Sequence, residues 1–156
     1  MKNGNMKKWS ATGGIGLISS RLSLEGPFVK DKGSISISGR RTYADVVAGM
    51  VRKEFRDANL YVYDLNAKAN YKIIDKDRIY ASAYLGRDVL GLSDFGFDWG
   101  NQTFTLRWNH MFSSKLFANT SLIDSDYDYG FTLEATGIDI KLDAGIYDYK
   151  LKQDYT

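Results

Sequence analysis

From Leu60 to Ile73 the chain alternates strictly: Tyr61, Tyr63, Leu65, Ala67, Ala69, Tyr71 and Ile73 fall on one parity, and Asp64, Asn66, Lys68, Asn70 and Lys72 on the other. A helix would scatter these charges around its circumference, whereas a strand places residues two apart on one face, so the period predicts a strand of more than ten residues. The pattern recurs. Ile79, Ala81, Ala83 and Leu85 oppose Tyr80, Ser82 and Tyr84, and Phe104, Leu106 and Trp108 oppose Thr103, Thr105, Arg107 and Asn109. Leu116, Ala118, Thr120 and Leu122 oppose Phe117, Asn119 and Ser121, and Ile35 and Ile37 oppose Ser34, Ser36 and Ser38. Near the C-terminus Tyr147, Tyr149, Leu151 and Tyr155 oppose Asp148, Lys150, Lys152 and Asp154. Between Ala11 and Glu25 the parity changes, and a bulge near Ile18 would reconcile its two halves.

These segments predict an all-β fold: an antiparallel up-and-down meander of about seven long strands, each long enough to cross a bilayer at a tilt. The connections sort into two classes. Residues Gly26 to Lys32, Asp75 to Asp77 and Ser113 to Lys115 read as short turns at one rim. Asp45 to Asn59, Arg87 to Trp99 and the region 135–137 lie at the other, the first two long. Short turns on one side and longer loops on the other is the habit of outer-membrane barrels.

Alternation alone does not say which face is buried, because a soluble barrel turns its apolar face inward and a membrane barrel turns it outward. Three features favour outward. The polar face carries Lys68, Asn70, Lys72, Arg107 and Asn109 in mid-strand, which suits a wet lumen. Tyr43, Tyr61, Tyr63, Tyr127, Tyr129, Tyr147 and Tyr149 gather near strand ends, as interfacial girdles do. After Leu122 the apolar row continues as Asp124, Asp126 and Asp128, as where a lipid-facing row leaves hydrocarbon. The alternative is a soluble lipocalin-like ligand-binding β-barrel, for which 156 residues is a natural length.

Composition removes chemistry rather than adding it. The chain has no cysteine, which excludes disulfide scaffolds, CxxC redox sites and thiol nucleophiles, and its one histidine, His110, leaves little for a metal. A formal net charge of +2 gives no excess that would point to nucleic acid. No run approaches the ~18 apolar residues of a spanning helix, and Met1 to Ser10 lacks the apolar centre of a signal peptide.

Local signals were weighed on the same strands. Asp124, Asp126 and Asp128, followed by Gly130 and Glu134, miss the calcium-loop spacing by one residue; on one strand face they make a solvated acidic rim or a loose cation site. Arg40 and Arg41 point opposite ways on a strand, so one is expected in a lumen ion pair and the other at a rim. Gly13, Gly14 and Gly16 lack a phosphate-binding spacing and suggest relief of crowding at a bend, or room for a plug. His110 has no serine and carboxylate at a triad spacing. The stretch 45–59, with Val46, Val47, Met50, Val51 and Phe55 among charges, is compatible with a short amphipathic helix in a surface loop, and reads as a loop segment folding over the barrel mouth rather than a partner-binding helix. No enzyme activity, catalytic residue, cofactor or metal site is expected, and no substrate-binding residue is assigned.

A resemblance adds to this. Gly13 to Pro27 (GGIGLISSRLSLEGP) followed by Gly39-Arg40-Arg41-Thr42-Tyr43 resembles the first barrel hairpin of TonB-dependent outer-membrane receptors of the Bacteroidetes type. Tyr63 to Lys68, Gly86-Arg87-Asp88, Trp99-Gly100-Asn101, Leu106 to His110 and Asn119 to Leu122 are similar to the family's next strands, in the same order. The resemblance implies a plugged barrel of about 22 strands in the bacterial outer membrane, taking up a bulky nutrient such as a siderophore, cobalamin or an oligosaccharide. It implies outer-membrane lipid, the remainder of the barrel and plug, and the TonB complex acting through that plug as partners, with no role for nucleic acid. On this expectation residues 1–156 are a partial barrel, a fragment that lacks plug, signal peptide and later strands.

Overall fold

The computed structural model describes residues 4–51, 59–135 and 137–156. Eight strands follow one another: β1 (Ser10–Ile15), β2 (Ser19–Val29), β3 (Gly33–Thr42), β4 (Asn59–Ile74), β5 (Asp77–Leu92), β6 (Phe95–Ser113), β7 (Leu116–Ala135) and β8 (Ile138–Tyr155), with one helix, α1 (Ala44–Val51), between β3 and β4. They form a single antiparallel sheet in the order β1 to β8, each strand beside its chain neighbours, and β1 and β8 are its edges. The all-β meander is therefore as the alternation predicts, and the sheet is not closed.

The count is eight rather than seven, and the difference lies in the segment from Ala11 to Glu25. Its parity changes because the chain reverses at Gly16 to Ile18, where the Gly16 amide donates to the Ser19 carbonyl at 2.8 Å. Ile15 then sits opposite Ser20 and Gly13 opposite Leu22. A hairpin, not a bulge, returns Leu22 and Leu24 to the face of Ile15. The register shifts lie at the opposite rim, between Pro27 and Val29, Lys72 and Ile74, and Met111 and Ser113, each just before a short turn.

The second expected long loop, Arg87 to Trp99, is also absent. β5 runs on to Leu92 and β6 begins at Phe95, so Ser93 and Asp94 alone make the turn. Gly91 and Gly96 inside the expected loop, and Gly86 and Gly100 beside it, each occupy a paired sheet position. At Gly86 the reason is a close approach: an added Cβ would collide with the Tyr84 ring, which lies over the glycine. Of the connections at this rim, the segment between β3 and β4 is long in sequence, those at 16–18 and 93–94 are tight, and two residues separate β7 from β8. The short helix compatible with 45–59 is α1, over Ala44–Val51; residues 52–58 lie outside the described residues.

A single sheet has no second layer to make a core. Among the described residues Ala118, 5% exposed, is the buried hydrophobic side chain. The accessible surface is 11126 Å². A compact globular chain of 17.6 kDa would expose about 7,900 Å², so about 40% more surface is open than in a molecule packed against itself.

Candidate membrane-facing surface

Cross-strand partners share a face of the sheet, so the registers assign every strand residue to one of two faces. The first carries Tyr61, Tyr63, Leu65, Ala67, Ala69 and Tyr71 on β4, beside Ile79, Ala81, Ala83 and Leu85 on β5. It continues through Phe104, Leu106 and Trp108 on β6, Ala118, Thr120 and Leu122 on β7, and Tyr147, Tyr149, Leu151 and Tyr155 on β8. Ala118 is buried and the other alanines are half-buried, while the leucines stand open: Leu106 is 40% exposed, Leu122 50% and Leu151 76%. The second face at the same height carries Lys68, Asn70, Arg107, Asn109, Ser121, Lys150 and Lys152.

The apolar band has a height. Tyr61 and Tyr71 bound it on β4, and Tyr147 and Tyr155 on β8. At ~3.3 Å per residue and a tilt of ~40°, these spans correspond to about 20 to 25 Å, near the ~25 Å apolar band of transmembrane barrels.

Beyond that band the polarity of the two faces exchanges. On β8 the first face reads Asp139, Lys141, Asp143, Gly145 before Tyr147, while the second reads Ile138, Ile140, Leu142, Ala144, Ile146 before Asp148. β6 does the same: Gly96, Asp98, Gly100 and Gln102 precede Phe104 on the first face, and Phe95, Phe97 and Trp99 precede Asn101 on the second. On β7 Asp124, Asp126 and Asp128 follow Leu122, and Tyr127, Tyr129, Phe131 and Leu133 take the opposite side. Phe97 and Trp99 meet edge to face at 4.9 Å, and Phe95 and Phe131 at 5.5 Å. The sequence reading found the loss of apolar character after Leu122. It missed the matching gain on the other face, although the Ile138 to Ile146 alternation was there to read.

On the first face beyond the band, aspartates and glycines form a checkerboard. Asp98, Gly130 and Asp143 make one row and Gly100, Asp128 and Gly145 the next. Arg87 lies beside Gly100 and reaches past it, bonding to Asp98 and standing 3.3 Å from Asp128. Gly100 allows this, since a Cβ there would lie 2.6 Å from Asp128 Oδ1. Asp124, Asp126 and Asp128 do share a face, and the charge nearest Asp128 is the Arg87 guanidinium. Among the described residues no group of three or more His, Cys, Asp or Glu could hold a metal ion.

Arg40 and Arg41 point to opposite faces as their positions require. Arg40 Nε donates to Asp64 Oδ2 at 2.8 Å on the polar face, and Arg41 lies over the Tyr61 ring, 5.6 Å from its centroid, on the apolar one. Gly13 and Gly14 lie in β1 and Gly16 opens the first turn. At the turn end, Ser34 and Asn70 are buried together on the polar face, with Asn70 Nδ2 donating to Ser34 Oγ at 2.6 Å. Gly4 covers them: a Cβ on it would lie 2.8 Å from the Ile35 carbonyl oxygen and 3.2 Å from Ser34 Oγ.

His110 does have a carboxylate partner, and sequence spacing gave no sign of it. The β5–β6 register sets Asp77 opposite His110, with Nδ1 and Oδ1 2.6 Å apart, and Trp108 Nε1 donates to the same oxygen at 2.8 Å. Trp108, His110 and Phe112 form an aromatic ladder, His110 meeting Phe112 edge to face at 4.5 Å. Through its bonds to Trp108 and His110 the Asp77 carboxylate orients both rings at the turn rim. In the adjoining turn the Lys72 ammonium, bonded to Asp75, holds that carboxyl below its usual range. Comparison with protein-family profiles, with curated proteins and with solved structures finds no match to this chain.

Proposed function

We propose that this chain forms part of the wall of an outer-membrane β-barrel, the N-terminal portion of the barrel of a TonB-dependent transporter for a bulky nutrient. One observation carries the barrel reading: an eight-stranded sheet without a core bears an apolar band of about 20 to 25 Å, edged by tyrosines on one face and backed by lysine, arginine and asparagine on the other. Lipid covers such a band without a second protein layer, and a lumen accepts the polar face. The transporter identity rests on the ordered resemblance of Gly13 to Pro27, Gly39 to Tyr43 and the later segments. In this role the wall encloses the pathway, and the TonB-linked movement belongs to the plug.

The test is the solvent the full chain requires. It should stay aggregated in buffer and become monodisperse in detergent, and should insert into phosphatidylcholine vesicles. A folded, monodisperse monomer in detergent-free buffer that binds a hydrophobic dye would replace this proposal with the soluble lipocalin-like barrel.

A further inference from the structure

A groove of about 710 Å³ crosses β1, β2 and β3, lined by Gly13, Ile15, Ser20, Leu22, Gly39 and Arg41 of the apolar face and by Gly14, Arg21 and Arg40 of the other. Packing does not demand its emptiness. A Cβ on Gly13 would come 3.4 Å from Leu22 Cδ1 and one on Gly39 3.6 Å from Leu65 Cδ1, ordinary contacts that leave room for a side chain.

The head of the groove is polar. Ser20, Arg41 and Tyr63 are successive cross-strand partners, level with the upper edge of the apolar band. Arg41 is held over the Tyr61 ring, and among the described residues it has no carboxylate within ion-pair distance. At this level Arg40 is paired with Asp64 and Arg87 with Asp98 and Asp128, whereas Arg21, on the opposite face, is like Arg41 without a carboxylate at that distance among the described residues.

We propose that this groove binds one acidic lipid, its acyl chain lying over Gly13 and Gly39 and its phosphate on Arg41, with the Ser20 and Tyr63 hydroxyls alongside. An apolar floor next to an uncompensated guanidinium at headgroup height is complementary to a lipid phosphate, and a planar fork of donors suits phosphate oxygens. The inference rests on the apolar face meeting lipid.

The experiment uses the full chain reconstituted in phosphatidylcholine vesicles with and without phosphatidylglycerol, then extracted for native mass spectrometry of retained lipid. The wild type should retain phosphatidylglycerol in preference to phosphatidylcholine. Arg41→Gln should lower that retention by roughly fivefold, and Gly39→Leu, which fills the groove, should lower it too. Arg107→Gln, on the other face and away from the groove, should leave it unchanged. Insertion of each variant into plain phosphatidylcholine vesicles checks that it folds. Equal retention by wild type and Arg41→Gln, an equal loss in Arg107→Gln, or displacement of the lipid by inorganic phosphate would each overturn the proposal. Failure of the wild type to insert into phosphatidylcholine vesicles would instead overturn the membrane reading beneath it.

Discussion

The turn-end half of the sheet and its loop-end half are made by the same strands, yet they carry their apolar residues on opposite faces. Along β8 the apolar residues are Tyr147, Tyr149, Leu151 and Tyr155 in the first half and Ile138, Ile140, Leu142 and Ile146 in the second, and a strict period of two puts those sets on opposite sides. The strand does not bend or slip to do this. The pairing from Ala135 with Ile138 to Ala118 with Tyr155 runs without a register shift. The exchange is therefore written in the order of residues alone, and it teaches that one continuous sheet can meet two environments in succession. On our proposal the first is hydrocarbon against one face, and the second begins where the strands leave it.

The comparison is broken most severely by putting a charge into the lower band. Ala83→Arg places a guanidinium on the apolar face, and it should cost about 2 to 4 kcal/mol in unfolding titrations from phosphatidylcholine vesicles. Ser82→Arg, one residue away on the polar face, should change stability by less than about 0.5 kcal/mol. Across the exchange the order inverts. Leu151→Asp should reduce insertion strongly, and Leu142→Asp, which is apolar but on the other face and beyond the band, should leave it near wild type. Equal effects at the two leucines would remove the distinction between the halves.

Smaller changes sharpen it. Asn70→Leu deletes the bond to Ser34 where both side chains are buried and leaves a hydroxyl without its partner, so a loss of about 1 to 3 kcal/mol is expected in the same titration. Gly100→Ala forces a methyl against Asp128 and separates Arg87 from it. Because the Asp128 carboxylate can swing aside, the cost should be about 1 kcal/mol, with vesicle insertion unchanged. Asp64→Asn removes the partner of Arg40, whose side chain is more than half exposed, and should cost at most about 1 kcal/mol, falling as salt is raised.

Much of the lower half was legible because its two faces differ in every strand, so the parity of Tyr61 to Ile73 or Ile79 to Leu85 needs no knowledge of neighbours. The upper half was less so. There Gly86, Asp88, Gly91, Asp94, Gly96, Asp98 and Gly100 carry the composition of a loop, and their place in strands depends on partners from adjacent strands: Asn101 opposite Gly86, Asp98 bonded to Arg87. Pairing across strands is a tertiary fact. The same reason hid Asp77 from His110, 33 positions apart in the chain and opposite in the register, and it hid the row of Ser20, Arg41 and Tyr63. The first hairpin was misread as a bulge because a reversal and an inserted residue both change parity. Only the pairing of Ile15 with Ser20 separates them.

The central claim is that one face of the lower band touches lipid. Because the chain contains no cysteine, single cysteines can be placed at will along β5 and β8, labelled with a fluorophore and quenched by lipids carrying nitroxide on their acyl chains. The account predicts strong quenching at positions 81, 83, 149 and 151, weak quenching at 82, 84, 150 and 152, and weak quenching at both parities from 139 to 144. Quenching that ignores parity in the lower band, or that is strongest at 82, 84, 150 and 152, would contradict it.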